Sequence, residues 1–253
     1  QGRLHQRVLM AGTLSLAFEG SMEEEAVDRL RVGPFKIHLH EAQLPEFDEL
    51  CDAIRESHRG QRPIAVHCVT EIELVFTLAA LRETGTLRGD RIEHASVAPP
   101  ALLEQIKALG LLVVTQPNFV FERGDQYLED VDTRDLSSLY RCDSFVKSGI
   151  ALAGGTDAPF GRPDPWLAIN AAVNRKTRKG QIINSEEALS PEQAIEMFLG
   201  DVESPGEPRL IAIGKPADLG LLDCNWQTAR TALTSNRVRA TWCGGKLIFN
   251  RVD

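Results

Sequence analysis

Short apolar runs alternate with amphipathic segments along most of this chain. Runs of the strand kind stand at Arg7–Met10, Phe35–Leu39, Pro63–Cys68, Arg91–His94, Leu111–Thr115 and Ile150–Ala153. Segments of helical period separate them. Met22–Leu30 carries Ala26, Val27 and Leu30 on one stripe, and Glu46–Glu56 places Phe47, Leu50, Cys51 and Ile54 on one face. Glu71–Glu83, Pro100–Leu109 (closed by Gly110), Asp135–Lys147 and Pro165–Val173 read the same way. The strands are continuous runs rather than alternations, as in sheets covered on both faces. This predicts a parallel sheet with helical crossovers. A doubly wound sheet and a (β/α)8 barrel both fit the pattern.

The character of the chain changes near its end. Ser190-Pro191-Glu192-Gln193 is a capping box with proline at the first helical position, opening a helix through Leu199. Gly200–Pro208 is rich in proline, glycine and acid and reads as a boundary. Beyond it, Ala217–Leu222, Arg237–Thr241 and Lys246–Phe249 are short strands without a long helix between them, with a hairpin turn at Cys243-Gly244-Gly245. The division expected is residues 1–208 and a small β segment, 209–253.

Charge narrows the partners. With 28 Lys and Arg against 36 Asp and Glu, the 253-residue chain carries a net charge of −8, the wrong sign for a general nucleic-acid binder. No apolar run approaches the roughly 18 residues that span a bilayer. The five cysteines show no Cys-x-x-Cys spacing, so reduced thiols and a cytoplasmic location are expected. The first residues contain neither a signal peptide nor an initiator Met, so the chain reads as a piece of a longer product. A small-molecule substrate, and neither nucleic acid nor membrane, is the partner expected.

Three polar residues stand where parallel strands end. His67 closes Ile64-Ala65-Val66, His94 closes Arg91-Ile92-Glu93, and Asp157 follows Ala151–Thr156. Function gathers at the C-terminal ends of such strands. Two imidazoles and a carboxylate from separate strands suit a borderline divalent ion, zinc above all, although each alone could be a backbone-bonded loop residue. Lys36 ends the run Val32–Phe35 and would serve inside a barrel only if paired, carbamylated or used as an amine nucleophile. His38 and His40 follow with period 2, in the loop beyond, where they could line a substrate pocket. Cys68 reads as a buried filler and Arg175–Lys179 as a helix C-terminus. Gly154-Gly155 and Gly244-Gly245-Lys246 lack the spacing of phosphate loops.

Val66-His67-Cys68, Arg91-Ile92-Glu93-His94-Ala95 and Gly154-Gly155-Thr156-Asp157-Ala158-Pro159 resemble the later metal-binding strands of the amidohydrolase superfamily, in the branch that includes N-substituted formamide deformylases. Lys215–Asp223 and Thr241–Lys246 resemble its C-terminal β-sandwich segment. The resemblance implies a metal-dependent (β/α)8 TIM-type barrel with a small C-terminal β appendage. It implies metal ligands at His67, His94, Asp157 and Lys36, one or two ions, and Asp157 as the proton-moving catalytic group. The family's first-strand His-x-His is absent before residue 38, and Gln1–Met10 corresponds to a third strand. The barrel therefore lacks its first two strands: the chain is a fragment, another chain (as in a homo-oligomer) completes it, or the barrel is degraded.

The function expected is hydrolysis of an amide-type, non-peptide C–N bond by a metal-activated water. His40, Gln116 and the long loop Gln116–Leu136 would shape the substrate pocket. The rivals are a Schiff-base enzyme built on Lys36 and a non-catalytic remnant that binds a ligand or partner.

Overall fold

The computed structural model describes residues 5–16 and 29–252. The expected helix Met22–Leu30 lies outside the described residues except for Arg29 and Leu30, and Leu30 opens a strand. Six strands form one parallel sheet: β1 (Val8–Gly12), β2 (Leu30–His38), β3 (Ile64–Cys68), β4 (Arg91–His94), β5 (Leu112–Thr115) and β6 (Leu152–Gly154). They lie side by side in chain order. A doubly wound sheet reverses its order at a switch point, so sequential order removes that alternative. The result is an α/β fold whose sheet curls as part of a barrel.

The crossovers are the amphipathic segments. Between β2 and β5 they are α1 (Phe47–Arg59), α2 (Glu71–Thr84) and α3 (Pro100–Ala108). Thr70 and Glu73 form a capping box on α2, each side chain taking the other's backbone N–H. Ile64, Val66 and Cys68 of β3 face Leu74, Leu78 and Leu81 of α2 in one buried cluster that continues through Ile92, Ile106 and Phe145. These wholly buried side chains are why the strands read as unbroken apolar runs.

Two segments depart from expectation. Gln116–Leu136 is no open loop: it holds α4 (Asn118–Asp130) and α5 (Thr133–Leu136). A Cβ at Gly124 would stand 2.7 Å from Thr177, so α4 packs too closely for any other residue, and that mid-helix glycine disguised it. Asp135–Lys147 is not one helix. It breaks after Leu136 and resumes as α6 (Cys142–Lys147). The break is held by Arg175, fully buried in a left-handed cap after α7 (Pro165–Asn174). Its guanidinium donates to the carbonyls of Leu139, Tyr140 and Ile183. The basic run does follow a helix C-terminus, and its first residue, the C-cap Arg175, is a buried clamp.

The Ser190–Gln193 capping box opens α8 (Pro191–Glu196), shorter than expected. The tail forms an antiparallel sheet of β7 (Leu219–Leu222), β8 (Val238–Cys243) and β9 (Lys246–Asn250), turning at Gly244-Gly245. Between β7 and β8, α9 (Trp226–Ala229) packs against α7 and α8: Trp226 and Leu233 join the cluster of Ile169 and Ala172, and Trp226 Nε1 donates to Glu192. The five cysteines are unpaired. Among the described residues no helix is long and apolar enough to cross a membrane.

Asp90, 2% exposed, pins the starts of two strands: it accepts from the N–H groups of Ile64 and Leu87 and from His58 Nε2. Asp90→Ala strands all three donors and should lower the unfolding free energy by about 3 kcal/mol in urea titration. A midpoint equal to that of the parent would show that these bonds do not hold the strand starts.

Candidate active site

The site begins with register. β2 and β3 run parallel with His38 beside His67, and their rings stack with centroids 4.1 Å apart. Lys36 is therefore not the end of the strand with His38 in the loop beyond: β2 continues through His38, within the apolar run Phe35–Leu39, because its backbone stays paired with β3. Lys36 lies two residues earlier and on the same face.

Alternation along β3 turns His67 toward the site and Cys68 toward α2, where its Sγ meets Thr77 Oγ1 at 3.3 Å. Burial pushes the Cys68 thiol up to about 12, the setting of an inert filler. His94 is in register with Cys68, so regular strand geometry would send it outward as well. Instead His94 has φ +73° and Ala95 φ +46°, and this left-handed pair turns the ring back to 4.4 Å from His67. Such a backbone costs about 1 kcal/mol or more per residue and persists only when its surroundings impose it. Gln116 supplies one restraint: buried, it meets His94 Nδ1 at 2.6 Å through Oε1 and donates to Val114 O through Nε2.

Asp157 completes the set from the loop after β6, with φ +52°. Its turn is held from three sides. Phe160 and Gly161 N–H groups donate to Asp157 O. Asn118 Nδ2 donates to Thr156 O and to Glu122 Oε1, which also accepts from Arg162 N. A Cβ at Gly161 would lie 2.2 Å from Thr156 O and 2.4 Å from Asn118 Nδ2, so no side chain fits there.

These side chains share one cavity of about 410 Å3. Lys36, His38, His67, His94 and Asp157 line one wall; Phe119, Tyr127 and Tyr140 line the other. A larger cavity, about 620 Å3, opens at the opposite ends of the strands. Its half-buried Arg62 is committed to the carbonyls of Gly12, Thr13, Gly33 and Pro34, and its buried Asp90 to backbone N–H groups. The smaller cavity, which gathers the imidazoles, Lys36 and Asp157, is therefore the candidate site. Burial lowers His67 to about 3, and the nearby imidazoles and Lys36 add to the shift, so His67 is neutral with a free lone pair at pH 7. Burial also lowers His94, opposed by Gln116 and Asp157, and lowers Lys36, opposed by Glu93.

His67, His94, Asp157 and Lys36 are thus brought together, and His38 joins them. His40 is not on the cavity wall; it is exposed and its Nδ1 accepts from Ala42 N. Gln116 stands behind His94. Phe119, Arg123, Tyr127 and Tyr140 were not singled out in the sequence, because α4 and the turn before α6 were unrecognised as structure.

The amidohydrolase family pattern matches residues 5–249. The chain belongs to that family. Among amidohydrolase relatives, the N-substituted formamide deformylase of Arthrobacter pascens is 25% identical over 255 residues, 96% of this chain and 46% of the deformylase. An uncharacterised metal-dependent hydrolase of Pyrococcus horikoshii OT3 superposes with a TM-score of 0.60 at 26% identity, covering 72% of this chain and 40% of that protein. Aspergillus niger ochratoxinase, 19% identical with a TM-score of 0.60, shares the fold over 87% of this chain and 52% of its own. This chain therefore spans about half the length of the relatives it matches.

Gly161→Ala should cost roughly 2 kcal/mol in urea unfolding, because the new methyl must displace Thr156 or Asn118. An unchanged stability would show that the Asp157 turn is not so tightly held.

Proposed function

We propose that this amidohydrolase-family chain carries the reacting centre of a metal-dependent hydrolase that cleaves an amide-type C–N bond other than a peptide bond. The observation that carries this reading is the meeting of neutral His67 with His94, Lys36 and Asp157 in one cavity.

The donors fit a divalent ion in kind. His67 is unprotonated, the Gln116 bond to His94 Nδ1 leaves Nε2 for a ligand, and burial makes Lys36 give up its proton more readily than an exposed lysine, the direction that ligation or carbamylation requires. Among the described residues no three His, Cys, Asp or Glu side chains are already gathered as an ion needs, so the final approach would accompany binding. His67, His94, Asp157 and Lys36 would hold one or two ions, zinc being the best match to imidazole and carboxylate. When bound, such an ion supplies an acidified water and a polarised carbonyl.

The protein's own residues do the rest. Asp157 takes the proton of the attacking water and returns it to the departing nitrogen. Gln116 fixes the His94 ring, and Phe119, Tyr127 and Tyr140 exclude bulk water from the reacting face. The strands expected to complete a (β/α)8 barrel, from a preceding segment or a second chain, belong to the same proposal, as does a cytoplasmic setting.

Purified chain supplied with Zn2+ should release amine from N-alkylformamides and lose that activity on chelation. Asp157→Asn should lower kcat by about 100- to 10,000-fold with an unchanged unfolding midpoint. Near-parental activity in that variant overturns the role of Asp157. The lowered amine of Lys36 also suits a Schiff-base enzyme. Borohydride trapping of a carbonyl substrate on Lys36, in metal-free protein, would favour that reading instead.

A further inference from the structure

We infer that the reacting cavity has a second chamber, which takes the non-reacting, apolar part of the substrate and selects against a carboxylate there. The inference rests on the reading above for the reacting end of the substrate, but its geometry is independent of it. A cavity of about 310 Å3 adjoins the first and shares four wall residues with it: Val69, Ser96, Tyr127 and Tyr140. The two tyrosines form the partition, their hydroxyls 3.1 Å apart. Tyr140 is 3% exposed and Tyr127 is half-buried, so the partition is part of the packed core rather than a loose lid.

Beyond it the walls are apolar: Ile72 from the first turn of α2, Val97, Val131 after α4, and Leu139. A cavity of about 150 Å3 accommodates benzene, so this chamber has room for an aryl group or a short alkyl chain. Each methylene buried there should tighten binding about fourfold. The rim adds a sign. Glu41, Glu71, Asp132 and Asp135 line it against one cation, Arg134, which lies 3.3 Å from Asp135. A neutral or cationic tail meets no opposing charge, whereas a carboxylate tail meets three net negative charges at close range.

The test separates the chamber from the chemistry. Calorimetry with octanol, octylammonium and octanoate needs no turnover. Octanol and octylammonium should bind, and octanoate should bind about tenfold more weakly or worse. Val131→Trp fills the chamber and should weaken octanol binding at least about tenfold. Ile72→Trp fills it from a position that is 50% exposed, which keeps the test open if Val131→Trp does not fold. In turnover, both variants should lower kcat/KM for N-hexylformamide and leave N-methylformamide unchanged. Octanoate binding as well as octanol, or two folded variants binding octanol like the parent, overturns the chamber. Failure to hydrolyse either formamide counts against the proposed function and leaves the calorimetric result standing.

Discussion

Everything at the site depends on how neighbouring parallel strands are registered. Side chains in register on adjacent strands leave the sheet on the same side, so the pairing of His38 with His67 delivers two imidazoles to one face. The same rule would deliver Glu93, not His94, as the next neighbour. Glu93 does lie on that face, bonded to Arg91 and close enough to Lys36 to oppose its loss of a proton. His94 reaches the site only because the chain leaves β geometry there and turns through two left-handed residues. Two imidazoles are supplied by regular structure and the third by a local breach of it.

A breach of that kind must be held by its neighbours, and the sheet supplies them from the adjoining strands. Gln116, just past β5, grips His94, while Asn118, two residues on, grips the carbonyl before Asp157. The segment from Gln116 to Asn118 thus braces candidate site residues on both flanking strands, although Gln116 and Asn118 do not line the cavity themselves. α4 then carries Phe119 and Tyr127 across the opposite wall. A substitution there would act through position rather than contact, shifting His94 and Asp157 together.

The parallel sheet was legible because buried strands must be apolar throughout and helices must show period. Pro63–Cys68 and Glu71–Glu83 satisfied both rules without interference. His67, His94 and Asp157 were legible because polar residues at strand ends are costly without a use. What stayed hidden depends on long-range packing. The runs Val32–Phe35 and Phe35–Leu39 each mark part of β2, but that they form one strand from Leu30 to His38 follows from pairing with its neighbours. The break after Leu136 follows from a guanidinium some 35 residues away in sequence, which takes up the carbonyls a continuous helix would have used itself. α4 was concealed by Gly124, whose presence is explained only by the approach of Thr177.

The last strand of the sheet shows how a candidate site residue can follow an edge strand and still be fixed. β6 pairs with β5 on one side only, and an unpaired edge is free to fray or to recruit another strand. Here the Gly154 N–H that faces away from β5 donates to Met197 O, in the segment after α8. Phe198 lies so close that a Cβ on Gly154 would fall 2.5 Å from its ring. Among the described residues, that edge is therefore covered at Gly154 by a packed helix end. This gives the Gly154-Gly155-Thr156-Asp157 sequence a mechanical meaning. Gly154 admits Phe198 and Gly155 donates its N–H to Thr115 O. The Thr156 carbonyl meets Asn118, and Asp157 is left as the first residue free to face the cavity. Because each step uses a contact already made among the described residues, the placement of Asp157 does not wait on further strands. Completion of a barrel would change what surrounds the cavity, not how this carboxylate is held.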